Sequence, residues 1–229
     1  MIGAAVFFLA LSASAPGINR TPAEQALDAQ DRAKLEQIAA QAASGAGQRS
    51  TDSGAQYEAA LAQSTLAQLA IETGDKRLGR TAAEAGIQFA RKAIDLKPGT
   101  AEYHRILGTL CGQVIPANVL AGLKWGRCAA DEVKKAAQLN PKSAKVWLSQ
   151  GVGNYYLPAS FGGGVGKAVE DLRRAIQLDP KLAEAHLWLG VALRKAGKNP
   201  EARQALEKSL ALNPNRKWAK QQLERTPAQ

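Results

Sequence analysis

The sequence predicts an all-α solenoid, an elongated stack of helix-turn-helix hairpins. Four similar phrases, AIDLKP, AQLNP, IQLDP and LALNP, end at prolines that are 43, 39 and 34 residues apart. Internal repeats of about 20–50 residues are typical of solenoids. Only 5% of the residues are aromatic, and no alternating run of β-branched residues predicts a strand. A hairpin of this kind cannot bury its apolar face alone, so it stacks on its neighbours and leaves a concave surface for a partner.

The first seventeen residues have the features of a secretory signal peptide. Residues 1–19 contain no ionisable side chain, residues 2–11 are apolar, and the small residues SASAPG follow them. The apolar run is too short to span a membrane. No Lys or Arg precedes the run, so an uncleaved anchor and a buried N-terminal helix remain alternatives. We therefore expect the protein in the periplasm or outside the cell, with membrane association only if this segment stays attached.

Residues 18–56 are predicted as an N-terminal helix followed by a flexible linker. Thr21 is a suitable N-cap, Pro22 suits the first helical position, and Glu24 completes a capping box. The apolar stripe of this helix continues to about Ala43. The next stretch, SGAGQRSTDSGAQ at 44–56, contains only Gly, Ala and polar residues, a composition typical of flexible linkers.

Residues 57–229 are predicted as the solenoid, closed by a C-terminal capping helix. Residues 57–73 and 76–97 form a first hairpin, with the helix stop Gly74-Asp75 between them. At the other end, the polar phrase RKWAKQQLER at 216–225 suits a helix that covers the last repeat.

Residues 183–216 resemble a tetratricopeptide repeat (TPR) without gaps. This family favours a bulky residue at position 4, Leu at 7, a small residue at 8, 20 and 27, a large apolar residue at 24 and Pro at 32. The corresponding residues here are His186, Leu189, Gly190, Ala202, Ser209, Leu206 and Pro214. Ser209 departs mildly from the usual Ala. The resemblance implies a right-handed α-solenoid of about three and a half TPR-like hairpins, whose small residues let helices approach closely.

Two earlier repeats follow the same pattern with insertions. Residues 144–180 carry five extra residues around 157–164, and residues 101–141 carry nine within 113–126, both between paired helices. The phrase YLPASFGGGVGKA also resembles a loop of uncharacterised bacterial exported TPR proteins. It is not a phosphate-binding P-loop, because Phe161 stands where that motif needs Gly, and Ala168 where it needs Ser or Thr. A turn before the next helix is predicted instead.

The cysteines, histidines and charges give no sign of catalysis. Cys111 and Cys128 lie in opposite helices of one hairpin, so they form a disulfide if the chain is exported, or else pack as small buried residues. His104 and His186 both occupy position 4, a packing position, and neither has a ligand-spaced neighbour that would make a metal site. The net charge of +10 comes from Lys and Arg spread along the chain, which favours solvated helix surfaces over nucleic-acid binding.

The concave face is the remaining candidate for function. In TPR proteins it is lined by positions 2, 5, 9, 12 and 13 of the first helix of each repeat. The cationic and aromatic residues that this resemblance places there are Arg105, Lys145, Tyr155, Tyr156, Arg194 and Lys195. They imply a groove for an extended, acidic peptide.

The sequence thus predicts a non-catalytic adaptor or scaffold that binds a protein or peptide, without a cofactor. The first alternative is an accessory subunit of a transport or envelope-biogenesis system that binds a small ligand between repeats. A sealed apolar pocket would favour that alternative, and an open groove the adaptor. An enzyme with a polar cluster on the inserted edge is the remaining alternative.

Overall fold

The computed structural model describes residues 20–115 and 119–228, except for the side chains of 119–124. These residues form eleven α-helices and no strand. The helices are α1 (Pro22–Asp28), α2 (Arg32–Gln48), α3 (Ser53–Thr73), α4 (Lys76–Leu96), α5 (Ala101–Val114), α6 (Val119–Leu139), α7 (Ala144–Tyr156), α8 (Val165–Leu178), α9 (Ala183–Lys195), α10 (Asn199–Leu212) and α11 (Lys217–Glu224). The predicted signal peptide lies outside the described residues.

Helices α3 to α10 form four antiparallel hairpins stacked in sequence, which confirms the predicted solenoid. We call α3, α5, α7 and α9 the inner helices, and α4, α6, α8 and α10 the outer helices. Successive inner helices contact one another directly, whereas successive outer helices make at most weak contacts. A stack whose members are closer on one side curves toward that side. The inner helices therefore line the concave face, while α1 and α2 pack before α3, and α11 packs on α10.

The N-terminal segment begins as predicted but divides into two helices. The capping box is present, since the Glu24 N–H donates to Thr21 Oγ1 (3.2 Å) and the Thr21 N–H donates to Glu24 Oε2 (2.8 Å). The helix that it starts ends at Asp28, however, and a second helix begins at Arg32 after Gln30, whose φ is 51°.

The predicted flexible linker at 44–56 is wrong, because most of that segment is helical. Helix α2 continues to Gln48 and α3 begins at Ser53. Ala46 is buried, and the buried Gln56 donates its Nε2–H to the Ala46 carbonyl (2.7 Å). The carboxylate of Asp52 accepts from the Gly54 and Ala55 N–H groups and caps α3. Small residues that are typical of a linker here serve close helix packing instead.

The small residue at repeat position 8 is required by close approach within each hairpin. A Cβ added to Gly190 would lie 2.5 Å from Leu206 Cγ and 2.9 Å from the Ala202 carbonyl oxygen. Gly108 and Gly151 face the corresponding residues of their own hairpins at similarly short distances, 2.7 Å from the nearest side-chain carbon. Helix pairs therefore pack backbone against side chain at the same point in three successive repeats.

The bulky residue at position 4 bonds to the proline that ends the preceding repeat. His104 Nε2 lies 2.8 Å from the Pro98 carbonyl oxygen, and His186 Nε2 lies 3.0 Å from that of Pro180. Trp147 Nε1 donates to the Pro141 carbonyl at 2.8 Å. A carbonyl oxygen only accepts, so each ring nitrogen carries the proton. Both histidines are nearly buried, in agreement with the predicted packing role.

The insertion at 157–164 forms an ordered turn between α7 and α8. It contains one turn of 3-10 helix, Ala159–Phe161, and two glycines with positive φ, Gly162 (86°) and Gly164 (107°). The Gly164 N–H donates to the Asn154 carbonyl at 3.0 Å and returns the chain to the end of α7. The glycine-rich phrase is thus a turn that leads into α8, as the sequence predicts.

The two cysteines form a disulfide that joins α5 to α6. Their Cα atoms are 6.0 Å apart, Cys111 is fully buried and Cys128 is half-buried. The bond therefore ties together the two helices of the hairpin that carries the longer insertion.

We expect Gly190→Ala to lower the free energy of unfolding by about 1–3 kcal/mol, because its methyl group would overlap Leu206 and the α10 backbone. Gly153→Ala is the matched control. It lies in α7 with open space at its Cβ, so the same change raises stability by about 0.5–1 kcal/mol. Urea unfolding of both variants measures the two effects. Equal effects would contradict the close-approach argument.

Reduction of the disulfide should lower the free energy of unfolding by about 3 kcal/mol, because the unfolded chain then loses the constraint of a closed loop. Denaturation with and without dithiothreitol measures this loss. The double variant Cys111→Ala/Cys128→Ala should show no response to the reductant. A wild-type protein whose unfolding curve is unchanged by reductant would contradict the expectation.

Candidate functional site: the inner face of the solenoid

The inner helices are linked across the concave face by polar side chains. The Tyr57 hydroxyl of α3 donates to Glu102 Oε1 of α5 at 2.9 Å. Arg105 NH1 and Thr109 Oγ1 of α5 lie 3.2 and 3.1 Å from Ser149 Oγ of α7. These contacts join three repeats into one surface, which we call the inner face.

Arg105 lies on the inner face as predicted, but its charge is already neutralised. It is buried, and its guanidinium donates to Glu102 through Nε (2.8 Å) and NH2 (2.6 Å). Burial acts to raise the pKa of Glu102, but the hydrogen bonds and charge of Arg105 outweigh it and hold that pKa below its usual value. Arg105 is therefore already paired within the chain. Its partner stands only three positions earlier in the chain.

Lys145 remains an exposed cation on α7. Its charge contributes to the lowered pKa of Glu102, so it lies near the Tyr57–Glu102–Arg105 contacts. Unlike Arg105, it makes no hydrogen bond to the described residues.

Tyr155, Tyr156 and Lys195 come together with Trp188 in one cluster. Lys195 Nζ lies 4.2 Å from the Tyr155 ring centroid and 3.0 Å from the Tyr155 carbonyl oxygen. The ring of Trp188 lies edge-on to both tyrosines, at 5.8 and 6.1 Å, and also contacts Trp218 at 5.1 Å. This cluster spans α7, α9 and α11.

Tyr156 is the exposed member of that cluster. It retains 46% of its surface accessible to water, yet burial, together with the nearby Tyr155 and Glu72, raises its pKa to about 12. Tyr156 thus lies at the surface, close to Tyr155 and to Glu72 of α3. Leu61 of α3, 39% exposed, lies on the same helix face as Tyr57 and Gln68 by helical spacing. It adds a second apolar group to the inner face.

Arg194 is half-buried at the end of α9, and its guanidinium is hydrogen-bonded within the chain. Its guanidinium donates to Gln222 Oε1 (2.7 Å) and to the Gln222 carbonyl (3.1 Å). These bonds anchor the capping helix α11 to α9.

Sequence reasoning missed a buried group of ion pairs around Arg216, which we call the Arg216 cluster. Arg216 is 1% exposed. Its guanidinium donates to both carboxylate oxygens of Glu72 in α3, and its Nε lies 3.4 Å from Glu184 in α9 and 3.8 Å from Asp28 in α1. Burial acts to lower the pKa of Arg216, but Glu184 and Glu72 raise it more, so the guanidinium stays charged.

Three nearby contacts complete this connection between the two ends of the helical stack. Asn213 Nδ2 donates to Asp28 Oδ1 at 2.9 Å, and the amides of Gln30 and Gln221 exchange hydrogen bonds of 3.3 and 3.1 Å. Gln68 of α3 donates to Glu184 of α9 at 2.8 Å. The first and last inner helices therefore meet, and the inner face is closed across its ends.

Cavities and metal-ligand groups add no second candidate site. One cavity of about 100 Å³ lies at the turn between α3 and α4, and an open depression of about 410 Å³ lies beside Trp125 between α4 and α6. Neither is a sealed apolar pocket between repeats. In the described part of the chain, no three His, Cys, Asp or Glu side chains group so as to hold a metal ion. No helix there is long and apolar enough to cross a membrane.

Comparison with known proteins agrees with this architecture. The family model described as "TPR repeat" matches residues 163–197, and the one described as "Tetratricopeptide repeat" matches residues 183–216. No curated protein matches the chain. Residues 163–216 thus match tetratricopeptide repeat models, and the described residues form an α-solenoid of TPR-like hairpins. Tetratricopeptide repeats serve as scaffolds for protein interaction.

Two solved structures share the fold. TTC0263, a thermophilic TPR protein from Thermus thermophilus, is 17% identical, with 89% of this chain and 97% of that chain covered and a TM-score of 0.63. The HusA haemophore from Porphyromonas gingivalis is 18% identical, with 87% and 96% covered and a TM-score of 0.53. At these identities the likeness concerns the fold alone.

Stability should depend on the protonation of Glu72. Burial raises its pKa from 4.5 to about 7, although Arg216 opposes this shift. The folded protein then holds a proton that the unfolded chain releases, so this contribution to stability is present below pH 4.5 and is lost as pH rises through about 7. Urea unfolding across this range should show the decline for wild type but not for Glu72→Gln.

Glu207→Gln is the control for that measurement, because Glu207 is exposed on α10. Its pH profile should follow that of the wild type. Parallel profiles for wild type and Glu72→Gln would show that Glu72 does not titrate in this range.

Proposed function

We propose that the protein is a non-catalytic adaptor that holds a protein or peptide partner along the inner face of its solenoid. The observation that carries this proposal is the exposure of Tyr156 and Leu61 on a surface whose charged groups are largely paired within the chain. Exposed apolar side chains between satisfied polar groups are what a peptide can bury on binding.

The internal pairing also changes the partner chemistry that the sequence suggests. Arg105 and Arg194 are occupied by Glu102 and Gln222, which leaves Lys145 and Lys195 as the exposed cations of the predicted set. We therefore propose an extended segment with an apolar or aromatic residue near Tyr156. An acidic side chain of the partner would pair with one of these two lysines.

We also propose that the protein is exported from the cytoplasm. The disulfide between Cys111 and Cys128 supports an oxidising compartment, and the first seventeen residues have the features of a signal peptide. N-terminal sequencing of the protein recovered from the periplasm or medium tests this location directly. The small-ligand alternative draws no support from the cavities described above.

A photo-crosslinking amino acid at position 61 or 156 tests the groove. We expect it to capture the partner in cells, because both side chains are exposed on the inner face. Leu139 and Leu96 are matched controls, since they are 39% and 41% exposed but end outer helices. The same partner captured equally at 61 and 139 would place the contact elsewhere.

The captured partner then permits a quantitative test. Leu61→Asp should weaken its binding by about tenfold or more, because a charge replaces an apolar contact, whereas Leu139→Asp should leave the affinity unchanged. Equal affinities for the two variants would contradict binding at the inner face.

A further inference from the structure

We propose that the protein is a hinged clamp, in which its two halves close over the inner face and the Arg216 cluster acts as the catch. The N-terminal half comprises α1 to α6 and the C-terminal half α7 to α11. This inference rests on the proposed function of the inner face and adds how that face is opened and closed to a partner.

The first observation is that the two halves have separate apolar cores. One cluster of buried side chains draws only on α1 to α6, including Leu35, Ile87 and Leu110. The other draws only on α7 to α11, including Leu172, Leu187 and Leu206. Each half is therefore held together by its own buried apolar side chains, and two such units can move relative to each other without breaking either core.

The second observation is where the halves remain continuous. Helices α5 and α6 both pack on α7, and Ser149 of α7 bonds Arg105 and Thr109 of α5. The connection between α6 and α7 is only residues 140–143, next to the fully buried Ala136 and Val146. These contacts lie beside one short connection in the middle of the chain, and they are where a hinge between the halves would bend.

The third observation is the chemistry of the contact that joins the ends. Arg216 bonds Glu72 and Glu184, Asn213 bonds Asp28, and Gln30 bonds Gln221. All of these contacts are polar. Burying charged groups costs hydration free energy, and their pairing only partly offsets that cost. This junction therefore stabilises the closed form less than an apolar interface of the same size would.

The position of the catch determines what its opening does. Glu72 and Gln68 lie on the first inner helix, and Glu184 on the last, so their contacts close the groove between α3 and α9. Opening would widen the inner face next to Tyr156, and closing would enclose an extended segment lying on it. The partner that fits is thus an unfolded or extended chain segment rather than a folded domain.

A pair of surface substitutions tests the catch without touching either core. Gln30 and Gln221 face each other at its half-exposed edge. Gln30→Glu/Gln221→Glu places two like charges there and should open the clamp, whereas Gln30→Lys/Gln221→Glu places opposite charges and should hold it closed. Both variants replace the same two residues, so a difference between them reports the sign of the charge at position 30.

Spin labels at Gln41 of α2 and Lys220 of α11, measured by pulsed electron paramagnetic resonance, report the opening. The distance distribution should move to longer values in the like-charge variant and stay at the wild-type value in the opposite-charge variant. A label pair within one half, Gln41 and Lys92, should not change in either. Identical distributions in the two variants would overturn the clamp.

Arg216→Met provides an independent measurement with Arg203→Met as its control. The contacts of Arg203, with the Leu223 and Thr226 carbonyls and with Glu207, all lie within the C-terminal half. Only Arg216→Met should lengthen the distance between Gln41 and Lys220. An unchanged distance would contradict the role of the Arg216 cluster.

Crosslinking from position 61 separates this inference from the function on which it rests. The clamp predicts that the yield of partner captured changes by at least about fivefold between the like-charge and opposite-charge variants. Distances that change while capture at position 61 is absent would refute the groove but retain the hinge. Distances and capture yields that are both constant would refute the clamp while leaving the groove.

Discussion

The close approach of the two helices in each hairpin is the constraint on which the rest of this structure depends. Gly108, Gly151 and Gly190 leave no room for a Cβ against the facing helix, so three of the four hairpins have the same tight crossing. Ring nitrogens of His104, Trp147 and His186 then bond the proline carbonyl of the preceding repeat. A fixed hairpin and a fixed joint, repeated, produce a curved stack. The inner face is a consequence of that curvature.

Features that depend on nearby residues were predictable from the sequence. The repeat period located the hairpins, the small residues marked the close approaches, and the glycine-rich phrase marked the turn before α8. The linker prediction at 44–56 failed because alanine and glycine suit two situations, a solvated coil and a tightly packed helix. Only the neighbour decides between them, and Gln56 bonding Ala46 from the next helix is such a neighbour.

The candidate site was only partly predictable, because its electrostatics depend on distant residues. Repeat position placed Arg105, Tyr155 and Tyr156 on the inner helices, but it could not assign their partners. Glu102, three positions before Arg105, was a local signal that the positional argument overlooked. Arg216 had no such signal, since Glu72 stands 144 positions away. Repeat position likewise suggested a groove with four cations, whereas Arg105 and Arg194 are paired within the chain and only Lys145 and Lys195 are exposed.

The contact between Asp28, Glu72 and Arg216 also alters how stability is distributed along the chain. In an open repeat array, each unit senses only its two neighbours, and the terminal units fray first. Here α1 contacts the segment between α10 and α11, so the two ends of the stack stabilise each other directly. Removal of α1 would therefore also lower the stability of the C-terminal helices. Residues that are far apart in the sequence would unfold together, because these contacts join the two ends of the stack.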